Sequence, residues 1–183
     1  MKTIKIHRLA LAMLAIITLL SCTNDPEWAD PEAHEKTEQL QKQYGPLLAG
    51  TWHCEYIYDM KRYFEQLTFQ EDGTMTGYRK LQTRNLVTID GVQQYTDWED
   101  LEPLVGSFTG RWKLEWVRNS SGAGENRISL YATYDDEGNS SLAFSHNILF
   151  EYNGGSTFRI TGYQQYDDDG WTSFQRGKAE PSF

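Results

Sequence analysis

From Trp52 onward the chain alternates. Trp52, Cys54, Tyr56 and Tyr58 interleave with His53, Glu55, Ile57 and Asp59, the period of two expected of a strand with one covered face. Tyr63, Leu67 and Phe69 continue the pattern up to the turn Glu71-Asp72-Gly73, and residues 74–81 return as the second arm of a hairpin. Residues 85–89 and 92–95 flank Asp90-Gly91 as another hairpin. Thr96-Asp97-Trp98-Glu99 reads as a capping box opening a short helical turn through Leu104. After Gly106 a long run sets Phe108, Gly110, Trp112, Leu114 and Trp116 on one face, ending in the Ser/Gly loop of residues 119–125. Four more runs come after it, at 127–134, 142–152, 158–166 and 171–178, separated by turn-forming residues at 135–140, 153–155 and 167–170. The pattern predicts eight to ten strands joined mostly by short turns. No long helices intervene to serve parallel crossovers.

Ahead of the strands the period changes. Residues 31–44 are rich in Ala, Glu, Gln and Lys and fit a helix of about three turns closed by Gly45-Pro46. Its apolar positions are few (Ala33, Leu40, Tyr44), which predicts weak docking. Earlier still, residues 1–8 are basic and 9–20 apolar. That run is too short for a bilayer, which needs about 20 residues, but suits a secretory segment. It ends Leu19-Leu20-Ser21-Cys22, which resembles the bacterial lipobox. The resemblance implies cleavage after Ser21 and a diacylated Cys22 as the new N-terminus, tethered by its lipid chains rather than spanning the membrane. Thr23-Asn24-Asp25-Pro26-Glu27 resembles the surface-export signal of lipoproteins in some Gram-negative bacteria. The expected location is the outer membrane, lipid-anchored, on its periplasmic face or at the cell surface. Three segments result: a signal peptide at 1–21, the lipidated cysteine, tether and helix at 22–46, and a β domain at 47–183.

A strand series of this kind must dispose of its edges, and closing the sheet does so completely. The expected fold is all-β, an antiparallel up-and-down barrel of about eight strands; a two-sheet sandwich shares the same periodicity. Charge narrows the partners. The 183 residues carry a net charge of -9, and losing residues 1–21, with three bases and no acid, takes it to -12. That excludes a nucleic-acid binder relying on Lys and Arg. With Cys22 acylated, Cys54 has no intramolecular partner, and its apolar surroundings assign it to the core.

Leu48-Ala49-Gly50-Thr51-Trp52 resembles the opening of a lipocalin-type domain, and the stretch from Leu67 through Asp72-Gly73-Thr74 to Thr76 resembles the second-strand segment and turn of lipocalin-like bacterial lipoproteins. The resemblance covers residues 47–178. It implies a calycin-type barrel with a short N-terminal helix, in which Trp52, introduced by Gly50, closes the floor and packs against a basic residue of the last strand, here Arg176. Animal lipocalins carry a disulfide pair and a C-terminal helix; this chain has neither.

Little in the chain points to catalysis. His34, His53 and His146 are the histidines beyond the signal segment and no two stand at metal-ligand spacing, so no metal and no cofactor is expected. The repeated acidic turns, 134–138 and 166–170, lack the register of a calcium loop and suit hairpin ends. Glu55, Glu65, Glu115 and Glu151 lie within strands and are read as outer-face residues. No nucleophile elbow, P-loop or dinucleotide fingerprint occurs, and no enzymatic activity is expected. The aromatics carry the remaining signal. Trp52, Tyr56, Trp112, Trp116, Phe144 and Phe150 are expected inward. Tyr56, Tyr58, Trp112, Trp116, Phe144 and His146 are the candidate lining of a small-molecule pocket. Trp98 and Trp171 are candidates for exposed contact with a glycan or protein, including inhibition of a secreted enzyme. A monomer is expected.

Overall fold

The computed structural model describes residues 30–58, 60–102, 105–136, 139–163 and 170–183. The signal segment, Cys22, residues 23–29 and Leu104 lie outside the described residues, as do Glu137-Gly138 and residues 166–169 of the two acidic turns. Helix α1 (Pro31–Leu48) precedes eleven described strands: β1 (Gly50–Ile57), β2 (Lys61–Phe69), β3 (Thr74–Thr83), β4 (Leu86–Ile89), β5 (Val92–Tyr95), β6 (Glu99–Asp100), β7 (Gly106–Arg118), β8 (Gly124–Asp136), β9 (Asn139–Tyr152), β10 (Thr157–Thr161) and β11 (Trp171–Arg176). Eight of them run β1-β2-β3-β7-β8-β9-β10-β11, each antiparallel to the next, and β11 returns to β1 through Trp52↔Arg176 and His53↔Gln175. The sheet is therefore a closed barrel, which rules out the sandwich. No described helix is long and apolar enough to cross a membrane.

The insertion between β3 and β7 differs from the expected helical turn. Pairing of β3 with β7 starts at Arg79↔Gly106, so the end of β3 runs on beyond its neighbour as a bare edge. Glu99 and Asp100 take that edge as β6, opposite Thr83 and Gln82, and Gln82 Nε2 donates to Asp100 Oδ1 at 2.7 Å. Thr96 does not cap a helix; its hydroxyl accepts the Asn85 amide at 2.9 Å and closes the base of the β4–β5 hairpin. That hairpin turns at Asp90 and Gly91, both with positive φ, as a tight two-residue turn requires.

Helix α1 also departs from expectation. It is capped by Asp30, whose carboxylate accepts the Ala33 amide at 3.0 Å, and Pro31 occupies the first turn. It does not stop at Gly45-Pro46 but continues to Leu48, because Leu48 is wholly buried and Tyr44 packs edge-on against Phe150 at 5.7 Å. Docking is firm, not weak. Beyond Thr74↔Arg111, β7 has lost its partner β3, and α1 side chains take over that role. Gln41 Oε1 accepts the Leu114 amide at 3.1 Å and Thr37 Oγ1 accepts the Trp116 amide at 2.9 Å. The helix thus covers both the exposed β7 edge and one end of the barrel.

Rings fill the closed end. Trp52 meets Phe158 edge-on at 4.9 Å, Phe69 lies 4.9 Å from Trp112, and Phe158 stacks on Phe174 at 5.0 Å. Trp52 Nε1 donates to the Leu48 carbonyl at 2.7 Å. The Arg176 guanidinium lies 4.4 Å above the Trp52 ring and donates to the Ala49 and Leu47 carbonyls. Gly50, at φ 127°, keeps its missing side chain out of that guanidinium's way. Higher up, a Cβ on Gly77 would meet the Phe108 ring at 2.4 Å, so this glycine makes room for Phe108.

Candidate functional site

The upper half of the interior is built differently. Glu65 on β2 and Arg79 on β3 are direct cross-strand partners, and both side chains are wholly buried. Arg79 Nη2 lies 3.2 and 3.3 Å from the Glu65 carboxylate oxygens, and Nε lies 3.4 Å from the second. Tyr163, just beyond β10, donates its hydroxyl to Glu65 Oε1 at 2.6 Å and accepts from Arg79 Nη2 at 3.3 Å. The guanidinium sits 4.9 Å from the Phe144 ring centre and 5.7 Å from that of Phe108. His146 stacks on Phe144 at 5.7 Å and meets Tyr163 edge-on at 5.1 Å.

Sequence phase explains the placement. Glu65 shares its strand face with Tyr63, Leu67 and Phe69, all buried, and Arg79 shares its own with Met75 and Leu81. A side chain in phase with a buried stripe is buried with it, whatever its charge. The expectation that Glu65 faces outward is thus corrected, because a buried cation lies directly across from it. Two charges in so dry a place each need a partner, and here each has one.

The pairing is incomplete. Arg79 Nη1, Tyr63 Oη, Tyr134 Oη and His146 Nε2 are buried without a well-aligned hydrogen-bond partner among the described residues, although Tyr134 lies within reach of Arg79. The charge of Arg79 acts on both Tyr134 and His146, so these orphans belong to one neighbourhood. Burial pushes the Glu65 carboxyl upward, against the pull of Arg79 and the Tyr163 hydroxyl. Arg79 works the other way: burial is the largest influence and opposes its charge, but Glu65, Tyr163 and Tyr134 together outweigh it and raise its affinity for the proton. Arg79 is the fixed charge of the pair. Burial, then the Arg79 charge, depresses His146, leaving a neutral imidazole near pH 7. Burial and then the Glu65 charge raise Tyr163 well above the ordinary tyrosine value. The cluster offers donors and acceptors to a small polar molecule.

The six candidate lining residues do not gather at one place. Phe144 and His146 stand in the Arg79 cluster. Trp112 belongs to the closed end, its Nε1 donating to the Gln70 carbonyl at 2.9 Å. Trp116 is not an interior residue: it continues the inward face of β7 beyond the barrel, lies across Gly124, and is covered by Lys36 at 4.3 Å. Tyr56 is half-buried at the β1–β11 seam, where its hydroxyl accepts the Ser173 amide at 2.9 Å. Tyr58 is exposed and stacks on it. Trp98 is half-buried beneath Arg62 and Arg84, and Trp171 is half-buried beside Arg159. Large exposed apolar side chains instead mark the β4–β5 hairpin: Leu86, Ile89 and Val92 at 47, 52 and 64 %. Cys54 is buried.

Fold and site together define a class: a closed eight-stranded antiparallel barrel, compatible with a lipocalin-like fold, holding a buried charged pair in its upper half. No protein-family model matches the chain, and no significant match is found among curated proteins or solved structures.

Proposed function

We infer that this is a lipid-anchored lipoprotein of the cell envelope whose barrel binds one small molecule with a polar head. The observation that supports the reading is the group of buried polar atoms without well-aligned partners at Arg79, Tyr134 and His146. Leaving one such atom unpaired costs about 1–3 kcal/mol, a cost that a bound hydroxyl, carbonyl or amide would relieve. The ligand's head would sit at Arg79 Nη1 and His146 Nε2, among the Phe108, Phe144 and Tyr163 rings that share the upper half. The reading includes no catalytic step and no cofactor, and the anchor at Cys22 is its only membrane attachment. Native mass spectrometry of the mature chain tests it. The expected result is one small adduct, retained by the native protein and lost when Tyr134→Phe and His146→Phe are combined. Absence of any adduct from protein purified from its native envelope would refute the reading.

A second reading has one observation in its favour. The exposed Ile89 and Val92, paired across the β4–β5 turn, form an apolar tip suited to a protein partner. Cross-linking from the hairpin in whole cells, compared with Ile89→Ser plus Val92→Ser, separates partner contact from ligand binding.

A further inference from the structure

We propose that the outer face of β7–β8–β9 binds a short saccharide carrying uronic acid. This site lies on the outside of the barrel wall, and of the interior cluster only His146 also borders it. Register places Arg111, Tyr131 and Ser145 in one row across the three strands, and Lys113, Ser129 and Asn147 in the next. Both rows face outward, since Trp112 and Leu130 between them are buried. With the Asp72-Gly73 turn they bound a groove of about 670 Å³. Strands about 4.8 Å apart set the ends of a row roughly 10 Å from each other, and successive rows lie about 7 Å apart. That footprint suits two or three sugar rings.

Chemistry selects the ligand. The Tyr131 ring is 53 % exposed on the outside of the sheet and offers a flat apolar surface to the C–H face of a pyranose. The polar groups beside it are already oriented. Glu115 Oε2 accepts from Ser129 Oγ at 2.5 Å and from Asn147 Nδ2 at 2.8 Å, while Glu115 Oε1 pairs with Lys113 at 2.7 Å. A fixed network of this kind meets hydroxyls without the entropic cost of ordering each side chain. Arg111, in the same row as Tyr131, makes no ion-pair contact among the described residues, though its charge acts on the Asp72 carboxylate that also borders the groove. Its planar fork matches a carboxylate, which selects uronic acids over neutral sugars. A protein partner fits less well. The groove is of small-molecule size, and only Leu142, opposite Thr133, adds an exposed aliphatic to this face beside Tyr131.

The test is an array of oligogalacturonates, oligoglucuronates and oligomannuronates beside their neutral counterparts, probed with the full mature chain, with titration calorimetry on the best uronate. The expected result is binding of at least one uronate, at least tenfold tighter than its neutral counterpart. Tyr131→Ala and Arg111→Gln should each weaken it tenfold or more without moving the unfolding midpoint, since both side chains are exposed. Glu65→Gln and Tyr134→Phe, interior substitutions away from the groove, should leave it unchanged. Failure to bind any uronate, equal binding of neutral sugars, binding that survives both surface substitutions, binding abolished from the interior, or a protein captured on this face instead would each overturn the proposal.

Discussion

The buried Glu65–Arg79 pair can be removed in two ways, and the two should move stability in opposite directions. Arg79→Met leaves the Glu65 carboxyl buried, with only the Tyr163 hydroxyl still donating to it at 2.6 Å. Removing one partner of a buried pair costs about 3–5 kcal/mol, because the remaining charge is stranded. With a urea slope of about 2 kcal/mol per molar, a loss of about 4 kcal/mol lowers the midpoint by about 2 M. Arg79→Met combined with Glu65→Leu removes both charges and the orphaned Nη1. Such double replacements by apolar groups are neutral or stabilising by about 1–4 kcal/mol. The double variant should therefore recover most of the native midpoint, and adding Tyr163→Phe, which removes the hydroxyl left without partners, should carry it to that midpoint or beyond. Urea unfolding followed by tryptophan emission reports the transition, since Trp52 and Trp112 sit in the closed end of the same core. A double variant as unstable as Arg79→Met alone, or a single variant costing under about 1 kcal/mol, would refute the reasoning. Recovered stability with lost ligand would show that the pair is kept for binding.

Titration offers a second check. The folded Glu65 carboxyl titrates above its ordinary 4.5, so the stability tied to its proton is complete below that value and is lost as pH rises through the elevated one; the difference between native protein and Glu65→Gln should follow that course in pH-dependent thermal melts. His146 is depressed below its ordinary 6.5, so its contribution is complete above 6.5 and fades as pH falls through the lowered value, and His146→Phe should flatten that part of the melt profile. Leu48→Ala, at a wholly buried site on the last turn of α1, should cost about 2–5 kcal/mol in chemical unfolding, where a weakly docked helix would cost under 1. Gly77→Ala should cost about 1–3 kcal/mol by overpacking against the Phe108 ring and the Gln66 carbonyl, and Phe108→Leu should relieve only the ring's share.

The barrel itself is legible because period-two alternation and turn chemistry agree along most of the chain: Asp72-Gly73 and Asp90-Gly91 turn where their residue types say they should. Two local readings fail for tertiary reasons. The 96–104 segment carries a capping box, but the bare end of β3 offers Glu99 and Asp100 backbone partners that no local signal encodes. Gly45-Pro46 reads as a helix stop, yet burial of Leu48 outweighs one missing amide. The candidate site is hidden differently. Glu65 and Arg79 lie in phase with the buried stripe, and an outward Glu65 follows only if charge is given more weight than phase. A charged residue at an interior position is a local conflict that a purely structural barrel has no reason to keep, since leucine would fill the same place at lower cost. Two such residues directly opposite each other, with Tyr163 closing the contact, resolve each other's charge but not the surplus hydrogen-bonding capacity of Arg79 and its neighbours. Conflicts of that kind concentrate where sequences serve function before stability, and here both members of the conflict could be read from the alternation alone.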